Sequence, residues 1–122
     1  MLKANLDKLG EYLESRPDVR CAVVFGSAQD GNIKPGSDLD IGIYFSQKPK
    51  GEEYINLMVE MAEVAEFDLI DLVDLGTADP ILAFEALSGN FICKSDPEKT
   101  AKLTSLVCRE YEETMFRLNL AA

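Results

Sequence analysis

GSAQDGNIKPGSDLD, residues 26–40, joins one apolar run to another. VRCAVVF, residues 19–25, runs into Gly26-Ser27, and LDIGIYF begins at Leu39. Both flanks are short, apolar and rich in β-branched residues, the composition of mostly buried strands. Between them Asp30-Gly31, Asn32, Pro35-Gly36 and Ser37 form a dense set of turn residues, which makes this a loop between two strands. Asp38 and Asp40 stand at the start of the second strand. With a side-chain period of two, Leu39, Ile41, Ile43 and Phe45 share one face, and Asp38, Asp40 and Gly42 the other. Carboxylates that close repel unless something positive offsets them, and Gly42 beside them is expected to leave open space. A loop able to grip phosphate, facing a carboxylate pair, is the candidate site.

Outward from that stretch the pattern alternates between helix and strand. Leu2, Leu6, Leu9 and Leu13 recur at helical spacing among charged residues, predicting a one-sided helix that stops near Ser15, because Pro17 disfavours helical geometry at Arg16. After the Gln47–Gly51 loop, Glu52 and Glu53 suit the first turn of a helix with Tyr54, Leu57, Met58, Met61, Val64 and Ala65 as its core stripe. FDLIDLVDL, residues 67–75, reads as a strand. Asp71 lies in its middle and is expected to be buried, where an unpaired carboxylate costs several kcal/mol. It therefore needs a partner, which a site shared with Asp38 and Asp40 would supply.

Asp79-Pro80 is a helix start, an N-cap followed by proline, and Gly89 is expected to end that helix as its C-terminal glycine. A short strand is predicted over Asn90–Lys94. Asp96-Pro97 then starts a last helix with Leu103, Val107, Tyr111, Met115 and Leu118 as its stripe. The sum predicts an α/β fold, one small mixed sheet flanked by helices, in a single domain over residues 1–122.

Composition bounds the chemistry. The chain is 47% hydrophobic and 28% charged, as in ordinary globular proteins. No apolar run approaches the roughly 20 residues of a membrane span, and the charged start has no signal-peptide pattern, so a cytoplasmic protein without membrane contact is expected. Cys21, Cys93 and Cys108 are far apart and sit in apolar patterns, which suits reduced thiols. The chain has no histidine, which excludes a Ser-His-Asp triad and any imidazole metal site. A metal would be held mainly by oxygen, pointing to Mg²⁺ or Mn²⁺. With 12 basic against 22 acidic residues, a net charge of −10, direct nucleic-acid binding is not expected, and a basic protein partner suits better.

Gly26-Ser27, ten residues, then Asp38-Leu39-Asp40 resembles the signature of the minimal nucleotidyltransferases (MNT type) of the DNA polymerase beta superfamily. The resemblance extends to Asp71 within Leu69–Leu75, to the Asp79-Pro80 helix and to the Gly89–Ile92 segment, and so covers nearly the whole chain. It implies the polymerase-beta-like nucleotidyltransferase fold. It also implies Mg²⁺ (or Mn²⁺) held by Asp38, Asp40 and Asp71, which are the catalytic residues as well. The nucleotide donor would be ATP, held at Gly26, Ser27 and Ser37. In that family such proteins are often antitoxins encoded beside a HEPN-domain toxin, an RNase, and several transfer AMP to a tyrosine of the toxin. A HEPN-type protein partner follows as an expectation, and homo-oligomerisation stays open. One departure is Asp30, which stands where family members commonly carry a basic residue and so places an acid near the triphosphate. Two other functions remain in view: a binding module that neutralises its partner without transfer, and a transferase acting on a small molecule.

Overall fold

Asn5 begins the first helix: its side-chain Oδ1 accepts a hydrogen bond from the Lys8 N–H at 3.1 Å. The computed structural model describes residues 2–121. Its elements are β1 (Leu2–Lys3), α1 (Leu6–Glu14), β2 (Val19–Phe25), a single 3-10 turn (Gly26–Ala28), β3 (Asn32–Ile33), β4 (Leu39–Phe45), α2 (Glu52–Ala65), β5 (Ile70–Asp74), α3 (Pro80–Leu87), β6 (Asn90–Cys93) and α4 (Pro97–Ala121). The main sheet has the order β5-β4-β2-β6. Strand β2 pairs antiparallel with β4 and β6, whereas β4 pairs parallel with β5. A parallel pair needs a long crossover, and α2 provides it.

The two faces of the sheet carry separate cores, and the alternation read from the sequence assigns residues to them. Leu39, Ile41, Ile43 and Phe45 lie on one face with Ala22 and Val24, beneath Leu9 and Leu13 of α1 and Leu57, Met61 and Ala65 of α2. Cys21, Val23 and Phe25 lie on the other, with Leu75, beneath Ala83 and Ala86 of α3 and Leu103 and Val107 of α4. Gly10 lets α1 press onto β6, since a Cβ there would stand 2.5 Å from the Ile92 carbonyl oxygen. Among the described residues no helix is long and apolar enough to cross a membrane.

Several expectations need correction. The first helix starts at Leu6, not Leu2. Leu2 and Lys3 instead pair antiparallel with Asn32 and Ile33 in a two-stranded ribbon, and Leu2 is half exposed. The fifth strand is shorter than FDLIDLVDL: Phe67–Leu69 is a connection, and only Ile70–Asp74 pair. Gly89 is not in the left-handed region, and Ser88 is the C-cap of α3. Gly89 is required for another reason. A Cβ there would overlap the Val24 carbonyl oxygen and approach Phe25 Cβ at 2.9 Å. In α4, Leu103 and Val107 are buried and Tyr111 stacks on Phe84 with ring centroids 3.9 Å apart. Leu118 is exposed, as are Phe116 and Leu120. Of the cysteines, Cys21 and Cys93 are buried and Cys108 half-buried; all three are free thiols.

Candidate functional site

Parallel pairing of β4 and β5 sets the register Asp40↔Asp71, which places two of the three candidate carboxylates side by side on neighbouring strands. Asp38 immediately precedes β4 and adds its charge to theirs. The Asp40 carboxyl is pushed above the ordinary aspartate value, first by burial, then by the negative charges of Asp71 and Asp38. The sequence did not single out the last contributor, Glu85 of α3. Its signal was available: PILAFEAL carries one charged residue in an otherwise apolar helix, and that residue must face a polar surrounding.

Gly26 closes the other side of Asp40. Its φ is +77°, and a Cβ there would lie 2.7 Å from Asp40 Oδ2. The turn that follows β2 thus rests directly on the carboxylate, and only glycine fits both the conformation and the gap. Ser27 is exposed on this turn. This element is one 3-10 turn, not the start of an α-helix. Any attraction for phosphate therefore comes from local N–H groups and the Ser27 hydroxyl rather than from a helix dipole. Ser37 is half-buried, and its N–H is spent on the Lys34 carbonyl at 3.0 Å, which leaves its hydroxyl for a ligand.

Two site expectations fail in detail. Asp71 is exposed, not buried, because β5 is the edge strand of the sheet; solvent as well as Asp40 can meet its carboxylate. Gly42 does not leave open space, since Leu75 Cδ2 and Val23 Cγ1 would lie 2.9 Å and 3.2 Å from a Cβ there. The glycine admits the second core rather than a ligand. Asp30 is exposed and turns back on its own loop: its carboxylate accepts from the Asn32 N–H at 3.0 Å and from Asn32 Nδ2 at 3.1 Å. These bonds hold its carboxyl below the usual range, and they give the acid a local role in the turn.

Among the described residues, no three His, Cys, Asp or Glu side chains stand as a group that could enclose a metal ion. The donors at Asp38, Asp40 and Asp71 are all oxygen, and crowding disfavours the ionised form of Asp40. That combination fits Mg²⁺, which commonly takes one or two carboxylates and completes its shell with water and substrate phosphates. A cleft of about 1030 Å³ lies elsewhere, between α1 and β6. Asp30 and Asn90 border it, and none of the three aspartates does.

Comparison with known proteins completes the picture. The family model described as "Polymerase beta, Nucleotidyltransferase" matches residues 7–98. No curated protein matches the sequence. Among solved structures, a chain of a toxin–antitoxin complex with AMP-PNP superposes with a TM-score of 0.75 at 19% identity, covering 96% of this chain and 94% of that one. A chain of the MntA–HepT toxin–antitoxin superposes with a TM-score of 0.68 at 16% identity, with coverages of 95% and 92%. A third match, from the complex of a tri-AMPylated Shewanella oneidensis HEPN toxin with its MNT antitoxin, has a TM-score of 0.64 at 16% identity, covering 92% and 94%. At these identities the likeness is one of fold.

Proposed function

The chain belongs to the polymerase beta nucleotidyltransferase family, and from that premise we propose that it moves AMP from ATP to a hydroxyl, specifically a tyrosine of a HEPN-type toxin, and thereby acts as an antitoxin. The observation that carries this reading is the Asp40↔Asp71 register with Gly26 seated on Asp40. It brings a phosphate-gripping turn and two carboxylates to one place. The solved structures of similar fold support the nucleotide and the partner, one being a complex with AMP-PNP and another a complex with a tri-AMPylated HEPN toxin.

In this mechanism Gly26 and Ser27 hold the β- and γ-phosphates through backbone N–H groups and the Ser27 hydroxyl, with Ser37 as a further donor. Asp38, Asp40 and Asp71 would hold Mg²⁺, which when bound neutralises the triphosphate and stabilises charge on the leaving group. Asp71, on the exposed edge strand, receives the proton of the acceptor hydroxyl. The acceptor oxygen forms a bond to the α-phosphorus, the bond from that phosphorus to the bridging oxygen breaks, and pyrophosphate departs. The edge position of β5 gives the acceptor an approach from solvent, and the net charge of −10 favours an acceptor carried on a basic protein surface.

The test is incubation of the protein with Mg²⁺, labelled ATP and a candidate HEPN toxin. Label on a toxin tyrosine is expected, with Asp71→Asn lowering transfer at least about 100-fold while ATP binding persists. A fully active Asp71→Asn protein would sink the assignment. Tight complex formation without label would instead support the non-catalytic binding module.

A further inference from the structure

We infer that Asn90, together with Gly89, is a positioning residue for the phosphate-gripping turn, acting from a strand that carries none of the candidate carboxylates. This inference rests on the nucleotide-binding role given above to Gly26 and Ser27 and goes further, by assigning what fixes their geometry.

The turn Gly26–Ala28 rests at Gly26 on Asp40 of β4 and buries Ala28 in the core. It is anchored at both ends by the junction between α3 and β6. At the entry, Gly89 packs without a side chain against the Val24 carbonyl and against Phe25 Cα and Cβ. These residues lead directly into Gly26. At the exit, Asn90 Nδ2 donates to the carbonyl of Gln29, the C-cap of the turn, at 3.3 Å. Asn90 also sits opposite Val24 in the β2–β6 pairing, so its backbone is fixed in register with the strand that feeds the turn. A second clamp lies just beyond, where Gly31 N–H donates to Ala28 O and Ala4 N–H to Gly31 O, each at 2.9 Å. Among the described residues, the Asn90 bond is the one long-range side-chain hydrogen bond at the turn's exit, and it spans 61 residues.

Preorganisation explains why such a bond matters to a ligand. A turn whose N–H groups already point at the phosphates pays little ordering entropy on binding, and a loosened one pays it from the binding energy. Asn90 is exposed, and one neutral hydrogen bond at the surface adds little to folding stability. Its loss should therefore be felt in nucleotide affinity rather than in melting temperature. Asp at this position keeps the shape but offers an acceptor to a carbonyl acceptor. Gln retains the donor on a longer arm.

The experiment compares wild type with Asn90→Ala, Asn90→Asp and Asn90→Gln. ATP affinity is measured by calorimetry in Mg²⁺, and amide hydrogen exchange is followed over residues 27–30 without nucleotide. The inference expects unchanged melting temperatures and exchange at least about threefold faster in the Ala and Asp variants. It expects ATP to bind about three- to tenfold more weakly to both, with KM for ATP rising more than kcat falls and Gln restoring part of the loss. Unchanged exchange across the turn in Asn90→Ala and Asn90→Asp overturns the positioning role, whatever the nucleotide result. A wild-type protein that fails to bind ATP overturns the functional reading on which the inference stands, and the exchange data then report on the clamp alone.

Discussion

Asp40 is held between two demands, burial and the negative charge of its neighbours. Its folded-state pKa is raised, so the folded protein binds a proton there more readily than the unfolded chain. By linkage, folding stability then declines as pH rises from the ordinary aspartate value through the raised one, and it stays lower above that window. In chelator at neutral pH, Asp40→Asn should melt at a higher temperature than wild type, with a flatter dependence on pH; a lower melting temperature would contradict the repulsion described here. Gly26→Ala meets both a positive φ and the Asp40 carboxylate. It should lose about 1–3 kcal/mol in urea denaturation, on the order of the cost of strained backbone. The Asp38, Asp40 and Asp71 set was legible because period-two alternation and a strand–helix–strand order force β4 and β5 together. The burial of Asp71 was misjudged, since apolar neighbours in sequence do not reveal that a strand lies at a sheet edge. The bonds from Asn32 to Asp30 were not legible, because the resemblance assigns a position to the loop but says nothing of its local hydrogen bonds.

Strands β2 and β4 were readable to the residue because each is apolar but for one charged residue, Arg20 and Asp40, and ends in punctuation, Gly26-Ser27 after one and Ser46 after the other. The ribbon of β1 with β3 was not, because two-residue strands carry no periodicity, and Leu2 happens to fall at helical spacing from Leu6. Asn5, a residue type favoured at N-caps, marks the true start of α1. Gly89 shows how one residue can be flagged for the wrong cause: its place after a helix suggests a C-cap, but its role is to let α3 and β6 close on β2. Helix α2 ends in an opposite manner. Glu66 is its C-cap at φ +57°, a left-handed conformation that glycine adopts with less strain. Glu66→Gly should stabilise the protein by about 0.5–1 kcal/mol, the left-handed penalty less the entropy cost of glycine, measurable as a higher urea midpoint at unchanged m-value. A loss of stability would show that the Glu66 side chain contributes more than its backbone costs.

Across the whole molecule, the sheet is held unevenly. Strand β2 is central, buried on both faces and paired on both sides, whereas β5 is paired on one side only. Beyond its ladder, β5 is bracketed by the Leu39 N–H to Leu69 O bond at 2.8 Å and the Leu75 N–H to Ile43 O bond at 2.9 Å. The pair of half-exposed Lys48 with the mostly buried Asp74, long at 4.0 Å, adds little to that. Local opening free energies follow such differences in contact and burial. Amide protons of β5 should therefore exchange faster than those of β2, with a smaller denaturant dependence; equal protection in both strands would show a sheet that opens only as one unit.

That asymmetry ties the candidate chemistry to two different stabilities. Asp40 lies on a strand paired on both sides, and Asp71 on an edge strand expected to open before the centre of the sheet. A departure of β5 would split the pair while leaving both cores largely in place. On the proposed mechanism, function would then fade before the fold does: on heating or in denaturant, a folded population would accumulate that keeps the Gly26 turn on Asp40 but has lost the proposed proton acceptor.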